Sequence, residues 1–357
     1  MSGFVFPEPR IPDAMEAPSL RWGIAGPGWI AERFVESLLR HGSQRVTAVG
    51  SRSIERAAAF GAPRGLRAHG SYEELAADPE VDVVYVATPH TAHLDVALAA
   101  LEAGKHVLVE KPMGINAAQA EAIRAAAAAR GLFAAEALWT VFLPRYDVVR
   151  QLVRDGRLGA VTQIVADYGE YLPPSHRAYD PALAGGPLLD LGVYLFALAT
   201  DLAGEATAVT ARGATVPGRG GTPVNGRLSA LLDFDGGAQA ALATTMGGFT
   251  PATFTVVGTE ATLVMDGPFN GPGGLMVRTT DGTEHRWDGK PGSHVDGLHF
   301  QAAAVAWAIA AGRTEVEERP LEKSLRTLRA MDAAREQLGI VYPGEHRVPG
   351  GVRLSLT

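Results

Sequence analysis

The chain has 357 residues, of which 46% are hydrophobic and 20% are charged, a composition typical of globular proteins with buried cores. At about 150 residues per domain, this length predicts two domains. The formal net charge is -7 and no lysine- or arginine-rich block is present, so neither a nucleic acid nor a membrane is expected as a partner. The sequence has no cysteine, which excludes thiol catalysis, thiolate zinc sites and disulfides.

Residues 1–18 are rich in proline and contain no apolar core run. This composition predicts a flexible N-terminal arm rather than a signal peptide. The longest apolar stretches of the chain are rich in alanine and interrupted by charges, so no membrane-spanning helix is expected. We therefore expect a cytoplasmic location.

Short β-rich runs alternate with helical patterns between residues 19 and 138. The predicted strands are Leu20–Ala25, Val46–Gly50, Val81–Thr88, His106–Glu110 and Leu132–Ala135, and the predicted helices are Trp29–His41, Ile54–Phe60, Tyr72–Ala77, Ala92–Ala103 and Ala117–Arg130. This alternation is typical of βαβ units. It predicts an α/β Rossmann dinucleotide-binding domain with a parallel sheet over residues 19–138.

The pattern changes after Pro144. Helices are predicted at about Arg145–Asp155, Leu188–Leu202, His299–Ala311 and Leu321–Gln337, and strands at Val161–Tyr171, Arg227–Phe234, Ala238–Thr245, Thr253–Val257 and Thr262–Met265. Asp235-Gly236-Gly237 between two of these strands predicts a hairpin. Residues 139–357 are therefore predicted to form an α+β domain with a large, mostly antiparallel open sheet and helices on one face.

The other face of that predicted sheet carries many apolar residues. A face of this kind is usually covered in the assembled protein. We expect a homodimer or homotetramer formed through the sheet.

A glycine-rich loop follows the first predicted strand and opens the first predicted helix, with the sequence Gly26-Pro27-Gly28-Trp29-Ile30-Ala31. Gly26 permits a tight turn, and Gly28 lets the backbone approach a pyrophosphate. The amides and the positive dipole end of the helix would then bind the phosphates. A tight turn without a ligand would need the same glycines, but their place in the first βαβ unit favours dinucleotide binding.

The end of the second predicted strand distinguishes NAD from NADP. NAD enzymes carry an acidic residue here, whereas this chain has Ser51 and Arg52, with Arg56 one helical turn further on. A hydroxyl and a guanidinium would bind the 2′-phosphate of NADP. NADP is the expected cofactor, NAD remains possible, and two solvated surface arginines are the alternative interpretation.

Candidate catalytic residues follow in two places. Lys111 ends the predicted strand His106–Glu110, in the segment Glu110-Lys111-Pro112, where the ends of parallel strands face the ligand crevice. Asp190 and Tyr194 are four residues apart, so they would project from one face of the predicted helix. Taken singly, a solvated lysine, a helix-start aspartate and an interfacial tyrosine would each be ordinary. The His, Asp and Glu spacing indicates no metal site.

The combination of these motifs resembles the Gfo/Idh/MocA oxidoreductase family. The resemblance extends from about Leu20 to Tyr342 and includes Ala87-Thr88-Pro89-His90. Within the family, Glu136-Ala137-Leu138-Trp139-Thr140, Pro144-Arg145-Tyr146 and Tyr194 resemble the branch of dihydrodiol dehydrogenases and NADP-dependent pentose or hexose dehydrogenases. Inositol dehydrogenases usually have histidine at the position of Tyr194, so inositol is a less expected substrate.

The resemblance implies that Lys111 and Tyr194 form the catalytic pair, that Asp190 positions the substrate and that the Lys111-Pro112 bond is cis. Oxidising a secondary alcohol removes a hydroxyl proton as hydride leaves for the nicotinamide, and a lysine ammonium would favour the tyrosine phenolate that accepts it. Cofactor contacts are further expected from Thr88, Pro89, His90, His93, Glu110, Lys111, Pro112 and Trp139. Substrate contacts are expected from Lys111, Trp139, His176, Arg177, Tyr179, Asp190 and Tyr194.

Three classes of function remain open at this stage. The first is a dehydrogenase or reductase acting on an aldose or a related cyclic diol. The second is a non-redox enzyme of the same fold, such as the NAD-dependent glycosidases, and the third is a cofactor-binding sensor. The intact Lys111, Asp190 and Tyr194 count against a sensor, and the indicated NADP preference counts against a glycosidase.

Overall fold

The computed structural model describes residues 4–346. Its first sheet consists of β1 (Arg21–Ala25), β2 (Arg45–Gly50), β3 (Arg67–His69), β4 (Val83–Val86), β5 (His106–Glu110) and β6 (Ala134–Ala137). All neighbouring pairs are parallel, in the order β3-β2-β1-β4-β5-β6. This is the strand order of a Rossmann fold, and it reverses direction between β1 and β4, where such sheets bind their ligands.

Five helices connect these strands: α1 (Trp29–His41), α2 (Ile54–Gly61), α3 (Tyr72–Ala77), α4 (His93–Glu102) and α5 (Ala117–Ala128). Polar N-caps start three of them, because Ser53, Ser71 and Asn116 each accept a hydrogen bond from the backbone amide three residues on. β4 is buried along its whole length, as expected for a strand covered on both faces.

The second half of the chain contains α6 (Pro144–Arg154), β7 (Val161–Gly169), α7 (Val193–Ala203), β8 (Ala206–Pro217), β9 (Pro223–Phe234), β10 (Gln239–Thr245), β11 (Phe254–Gly258), β12 (Ala261–Met265), β13 (Leu275–Thr279), β14 (Glu284–Trp287), α8 (Leu298–Ala310) and α9 (Leu321–Gln337). Its eight strands have the order β14-β13-β12-β11-β7-β10-β9-β8. Only β7 and β10 pair in parallel, and every other pair is antiparallel. Both parts of the predicted fold class are confirmed.

Helix α7 packs against β7 and β10. Among the described residues, the segment Pro181–Ala203 is long and apolar enough to cross a membrane by length and composition. However, 83% of its apolar window is buried inside the protein, which is what the core helix of a folded domain shows. Buried and exposed side chains alternate along β9, which buries every second residue from Leu228 to Phe234.

The chain divides into two compact units. The Rossmann unit comprises residues 12–139, 294–325 and the described residues from 344, and the sheet unit comprises the described residues up to 11, 140–293 and 326–343. The predicted second domain, 139–357, thus contributes α8 to the Rossmann unit, because its packing there is long-range and leaves no local signal in the sequence.

Part of the predicted flexible arm, residues 1–18, makes contacts with the rest of the chain, while its residues 1–3 lie outside the described residues. Ala14 and Ala17 are buried against Ala303 and Ala306 in the Rossmann unit. In the sheet unit, the backbone amide of Arg10 donates to Asp147 at 2.7 Å.

Candidate functional site

The glycine-rich loop has the form that a pyrophosphate requires. Gly26 has φ +96°, and a Cβ there would lie 2.9 Å from the carbonyl oxygen of Ala87, so only glycine fits between the ends of β1 and β4. Gly28 is the exposed N-cap of α1, and a Cβ there would meet nothing within 4 Å. Trp29 and Ile30 form the first turn, and Trp29 is 60% exposed. The loop therefore leaves open space at the amides of a helix N-terminus, which fits a dinucleotide phosphate.

The end of β2, where the ribose of the cofactor is predicted to bind, carries basic side chains. Ser51 is buried directly after β2, while Arg52 and Arg56 are exposed. Both arginines lie close to the phenol of Tyr72: burial raises the pKa of Tyr72, and the two guanidinium groups oppose that rise. Tyr72 was missed at the sequence level, since it follows a three-residue strand, β3, that the sequence pattern did not indicate.

The first carboxylate after β2 in the sequence, that of Glu55, is already hydrogen-bonded. Glu55 accepts a hydrogen bond from the hydroxyl of Ser53 at 2.7 Å, and this bond is the main reason why the pKa of Glu55 is lowered. No acidic residue stands at the strand end itself. The arrangement fits a 2′-phosphate better than a ribose hydroxyl.

The loop after β4 carries Thr88, Pro89 and His90, of which Thr88 and His90 are buried. The hydroxyl of Thr88 has no hydrogen-bond partner among the described residues, so it could bind a polar atom of a cofactor. His93 differs from the expected contact residue, because its side chain is fully buried. Its Nδ1 lies 2.9 Å from the carbonyl oxygen of Pro112 and its Nε2 3.0 Å from that of Thr88. His93 thus holds two loops together and would act by positioning.

Lys111 follows β5 in a loop that is fixed on both sides. The Lys111-Pro112 bond is cis, which confirms the prediction. Glu110 is buried and accepts hydrogen bonds from the hydroxyl of Tyr85 and, at 3.2 Å, from the backbone amide of Lys111. The amide of Met113 donates to Glu136 at 3.1 Å. Glu110, predicted to touch the cofactor, thus orients the backbone at Lys111.

Two tryptophans and a histidine meet in the same unit. Trp139 is buried, and its ring stacks on His294 with centroids 4.6 Å apart and 19° between the planes. Trp29 also meets His294, edge-on, with ring centroids 5.0 Å apart. The indole N–H of Trp139 is buried without an acceptor in the described part of the chain. A bound ligand could supply one.

His294 was missed at the sequence level, because it lies 155 positions after Trp139 in a stretch without a motif. Burial, and secondarily the cations Lys111 and Arg33, lower the pKa of His294 to about 4. Its imidazole is therefore neutral near pH 7.

In the sheet unit, Asp190 and Tyr194 are both buried before and within α7. The expected continuous α-helix is wrong in its first turn, because Leu188–Gly192 forms a π-helical turn that carries Asp190. Such turns are frequent at functional sites. The guanidinium of Arg177 pairs with the carboxylate of Asp190. This contact brings together two of the predicted substrate residues.

The other two predicted substrate residues of this loop differ in their surroundings. Burial lowers the pKa of His176, while the nearby Asp190 raises it. Tyr179 instead packs on the apolar cluster of Ala178, Val224 and Met246. His176 therefore belongs with the Asp190 group, and Tyr179 with the core around it.

Tyr194 has an aromatic neighbour that the sequence did not single out. Tyr168 on β7 meets Tyr194 edge-on, with ring centroids 5.8 Å apart. Its hydroxyl donates to Glu170 at 2.6 Å and accepts from the amide of Asn270 at 3.2 Å. Burial, and secondarily Tyr194 and Glu170, raise the pKa of Tyr168 far above its ordinary value, so it remains protonated. The alternation of β7 could have indicated its buried position.

Within residues 4–346, no three His, Asp or Glu side chains come together as a metal site would require.

Comparisons with known proteins agree with this geometry. Residues 20–137 match the model of the Gfo/Idh/MocA oxidoreductase family with an NAD-binding Rossmann fold, and residues 146–264 match the C-terminal domain of the same family. A similar relative is trans-1,2-dihydrobenzene-1,2-diol dehydrogenase of Bos taurus, which is 34% identical over 91% of this chain and 98% of its own length. The human enzyme of that name is 32% identical over 92% of this chain and 100% of its own.

Two solved structures are similar along most of the chain. A 3-ketoreductase from Actinomadura kijaniata in complex with NADP and TDP-benzene is 28% identical, with a TM-score of 0.77 and coverage of 90% of this chain and 98% of its own. An aldose-aldose oxidoreductase from Caulobacter crescentus is 28% identical, with a TM-score of 0.78 and coverage of 89% and 98%. The chain belongs to the Gfo/Idh/MocA family and is an NAD(P)-dependent oxidoreductase.

Proposed function

We propose that this protein is an NADP-dependent dehydrogenase or reductase acting on CH–OH groups, and that it transfers a hydride between the cofactor and the C1 hydroxyl carbon of an aldose or a carbon of a related cyclic diol. The relatives named for dihydrodiol and aldose chemistry support this substrate class. Lys111 and Tyr194 handle the proton, and Asp190 positions the substrate.

The observation that carries the proposal is the way in which Lys111 is held. Its own amide is bound by Glu110, the next carbonyl by His93 and the Met113 amide by Glu136. A solvated surface lysine does not need hydrogen bonds that fix the backbone around it. A lysine that must contact a reacting oxygen does need a fixed backbone, because misplacement by about 1 Å can cost about 100-fold in rate.

The residues that would hold the cofactor are those of the glycine-rich loop, Ser51, Arg52, Arg56, Tyr72 and Thr88. The open amides at Gly28 and the unpartnered Thr88 hydroxyl support this fit. The nicotinamide ring, when bound, supplies the hydride acceptor or donor. Everything else in the reaction is a task for the side chains of this chain.

Those tasks divide among four side chains. The phenolate oxygen of Tyr194 takes the proton from the substrate hydroxyl and becomes the phenol, and the Lys111 ammonium favours that phenolate and stabilises the negative charge that develops on the substrate oxygen. Arg177 fixes the carboxylate of Asp190, which accepts a hydrogen bond from a second substrate hydroxyl. In the reverse direction, the tyrosine returns its proton to the ketone or lactone oxygen.

The experiment is a panel of aldoses, polyols and cyclic diols, each offered with NADP+ and with NAD+, with absorbance of the reduced nicotinamide as the readout. We expect turnover of at least one aldose or diol, with the larger kcat/KM for NADP+. Tight NADP+ binding without turnover of any alcohol would refute the proposal and favour a sensor.

A further inference from the structure

The imidazole of His294 is held by aromatic contacts, while the backbone carbonyl of the residue accepts a hydrogen bond from the amide of Gly297. It stacks on Trp139 at 4.6 Å with nearly parallel planes, and Trp29 touches it edge-on at 5.0 Å. None of the hydrogen bonds within residues 4–346 involves its ring nitrogens, and neither nitrogen is fully enclosed. The imidazole is therefore fixed in orientation while its polar edge is left for another group.

The surroundings of His294 belong to the proposed reaction site. Trp29 begins the helix at the phosphate loop, and Trp139 follows β6. The charged groups that act on the imidazole are Lys111 and Arg33, both cations. Burial, above all, and these two cations favour the neutral imidazole, and a neutral imidazole can donate to or accept from a hydroxyl.

We propose that His294 is a substrate-binding residue that hydrogen-bonds the hydroxyl on the carbon next to the reacting carbon, so that this enzyme selects vicinal diols and sugars over simple alcohols. This inference rests on the proposed function, because it needs Lys111 to bind the reacting oxygen. Glu110 and Ala137 are paired across β5 and β6, so Lys111 and Trp139, which follow these strands, lie at the same edge of the sheet. A ring substrate bound at Lys111 therefore offers its neighbouring hydroxyl to the imidazole that stacks on Trp139.

The energetic argument concerns discrimination. A site built to hydrogen-bond a hydroxyl rejects an analogue that lacks it, because the bound analogue covers the polar group of the protein without giving it a partner. For one neutral hydrogen bond of about 1–1.5 kcal/mol, this corresponds to about 5- to 15-fold in kcat/KM.

The test compares two substrate pairs, each with and without the neighbouring hydroxyl: trans-cyclohexane-1,2-diol with cyclohexanol, and D-glucose with 2-deoxy-D-glucose. The variant His294→Phe keeps a ring for stacking on Trp139 and removes both ring nitrogens. The matched control is His285→Phe, since His285 also packs on an aromatic ring, that of Phe4 at 5.4 Å, but lies on β14 in the other unit.

We expect the wild type and His285→Phe to prefer the hydroxylated member of a pair, and His294→Phe to lose that preference by about 5- to 15-fold with little change in the Kd of NADP+. A wild-type ratio of kcat/KM retained in His294→Phe would overturn the role of His294 while leaving the proposed function intact. Equal kcat/KM of the wild type for both members of each pair would also overturn this inference and leave the proposed function intact. If the wild type oxidises no aldose, polyol or cyclic diol of the wider panel, the proposed function fails and this inference fails with it.

Discussion

The carboxylate of Glu136 accepts a hydrogen bond from the backbone amide of Met113, two residues after Lys111. Its other oxygen binds Arg319 Nε at 2.6 Å and the hydroxyl of Ser324 at 2.7 Å. Both charged side chains of the pair are 1% exposed. One buried ion pair thus connects the loop of Lys111 to a segment near the start of α9.

Glu136→Gln removes the negative charge from this pair. Removing one partner of a buried ion pair costs about 3–5 kcal/mol, because the other charge stays buried. We expect a loss of that size in the free energy of unfolding, measured with urea. Glu121→Gln is the control, since the exposed pair of Glu121 with Arg124 is worth about 0–1 kcal/mol. Equal losses in the two variants would contradict the buried-pair argument.

Arg52→Ala tests the cofactor assignment. A lost arginine–phosphate contact is worth about 1.5–3 kcal/mol, so we expect the KM for NADP+ to rise about tenfold or more and that for NAD+ to change little. Arg40→Ala is the control, because Arg40 is an exposed arginine on α1 that pairs with Glu36. If the KM values for NADP+ and NAD+ rise by the same factor in Arg52→Ala, Arg52 does not bind the 2′-phosphate.

Local signals explain which elements could be predicted from the sequence. α1 begins at Trp29 as predicted, because Gly28 and the amphipathic run behind it are adjacent in sequence. β5 and α9 also have their predicted bounds. β3 is only three residues long, too short for a period to show, and β6 lies two residues later than predicted.

The residues of the candidate site also differ in whether a local sequence signal marks them. The glycine loop, Ser51, Arg52 and Lys111 stand beside recognisable strand ends and could be assigned from sequence. His294, Tyr72 and Asn270 enter only through tertiary contacts, and the buried pairing of Glu110 with Tyr85 is equally invisible in the sequence. The π-helical turn at Asp190 has no sequence period that would reveal it.

The open face of the large sheet predicts self-association. Leu231, Ala241 and Val165 lie side by side on β9, β10 and β7, and Leu231 is 60% and Val165 44% exposed. We expect a dimer or tetramer by light scattering at micromolar concentration, and a monomer for Leu231→Asp, because a carboxylate in a covered face is costly. Leu39→Asp is the control at an exposed leucine of α1. A monomeric wild type would contradict this assembly.

Acid should destabilise the fold through two histidines. Burial, above all, lowers the pKa of His294 and of His299 to about 4, against about 6.5 in an unfolded chain. A lowered histidine pKa means that the unfolded state binds more protons, so this stability is present above pH 6.5 and is lost as the pH falls through 4. We expect Tm to fall over that range, and less steeply in His294→Phe than in His285→Phe. Parallel curves would exclude His294 as a contributor.

The proton-transfer assignment makes the sharpest prediction. Tyr194→Phe keeps the ring that packs against Tyr168 and removes the proton acceptor. We expect NADP+ binding to survive and kcat to fall by about 100-fold or more, the usual scale for loss of a general base. Lys111→Met should do the same, and the double variant should lose little beyond the worse single one, because residues that act as a unit are not additive.

Tyr168→Phe is the matched control: it removes a hydroxyl that Glu170 and Asn270 already bind, so it should leave kcat within a few-fold of wild type. The alcohol oxidation rate of the wild type should rise with pH through a midpoint below about 10, the value for free tyrosine, and this rise should vanish in Tyr194→Phe. Full activity in Tyr194→Phe would end its assignment as the base and leave Lys111 or Asp190 to carry the proton.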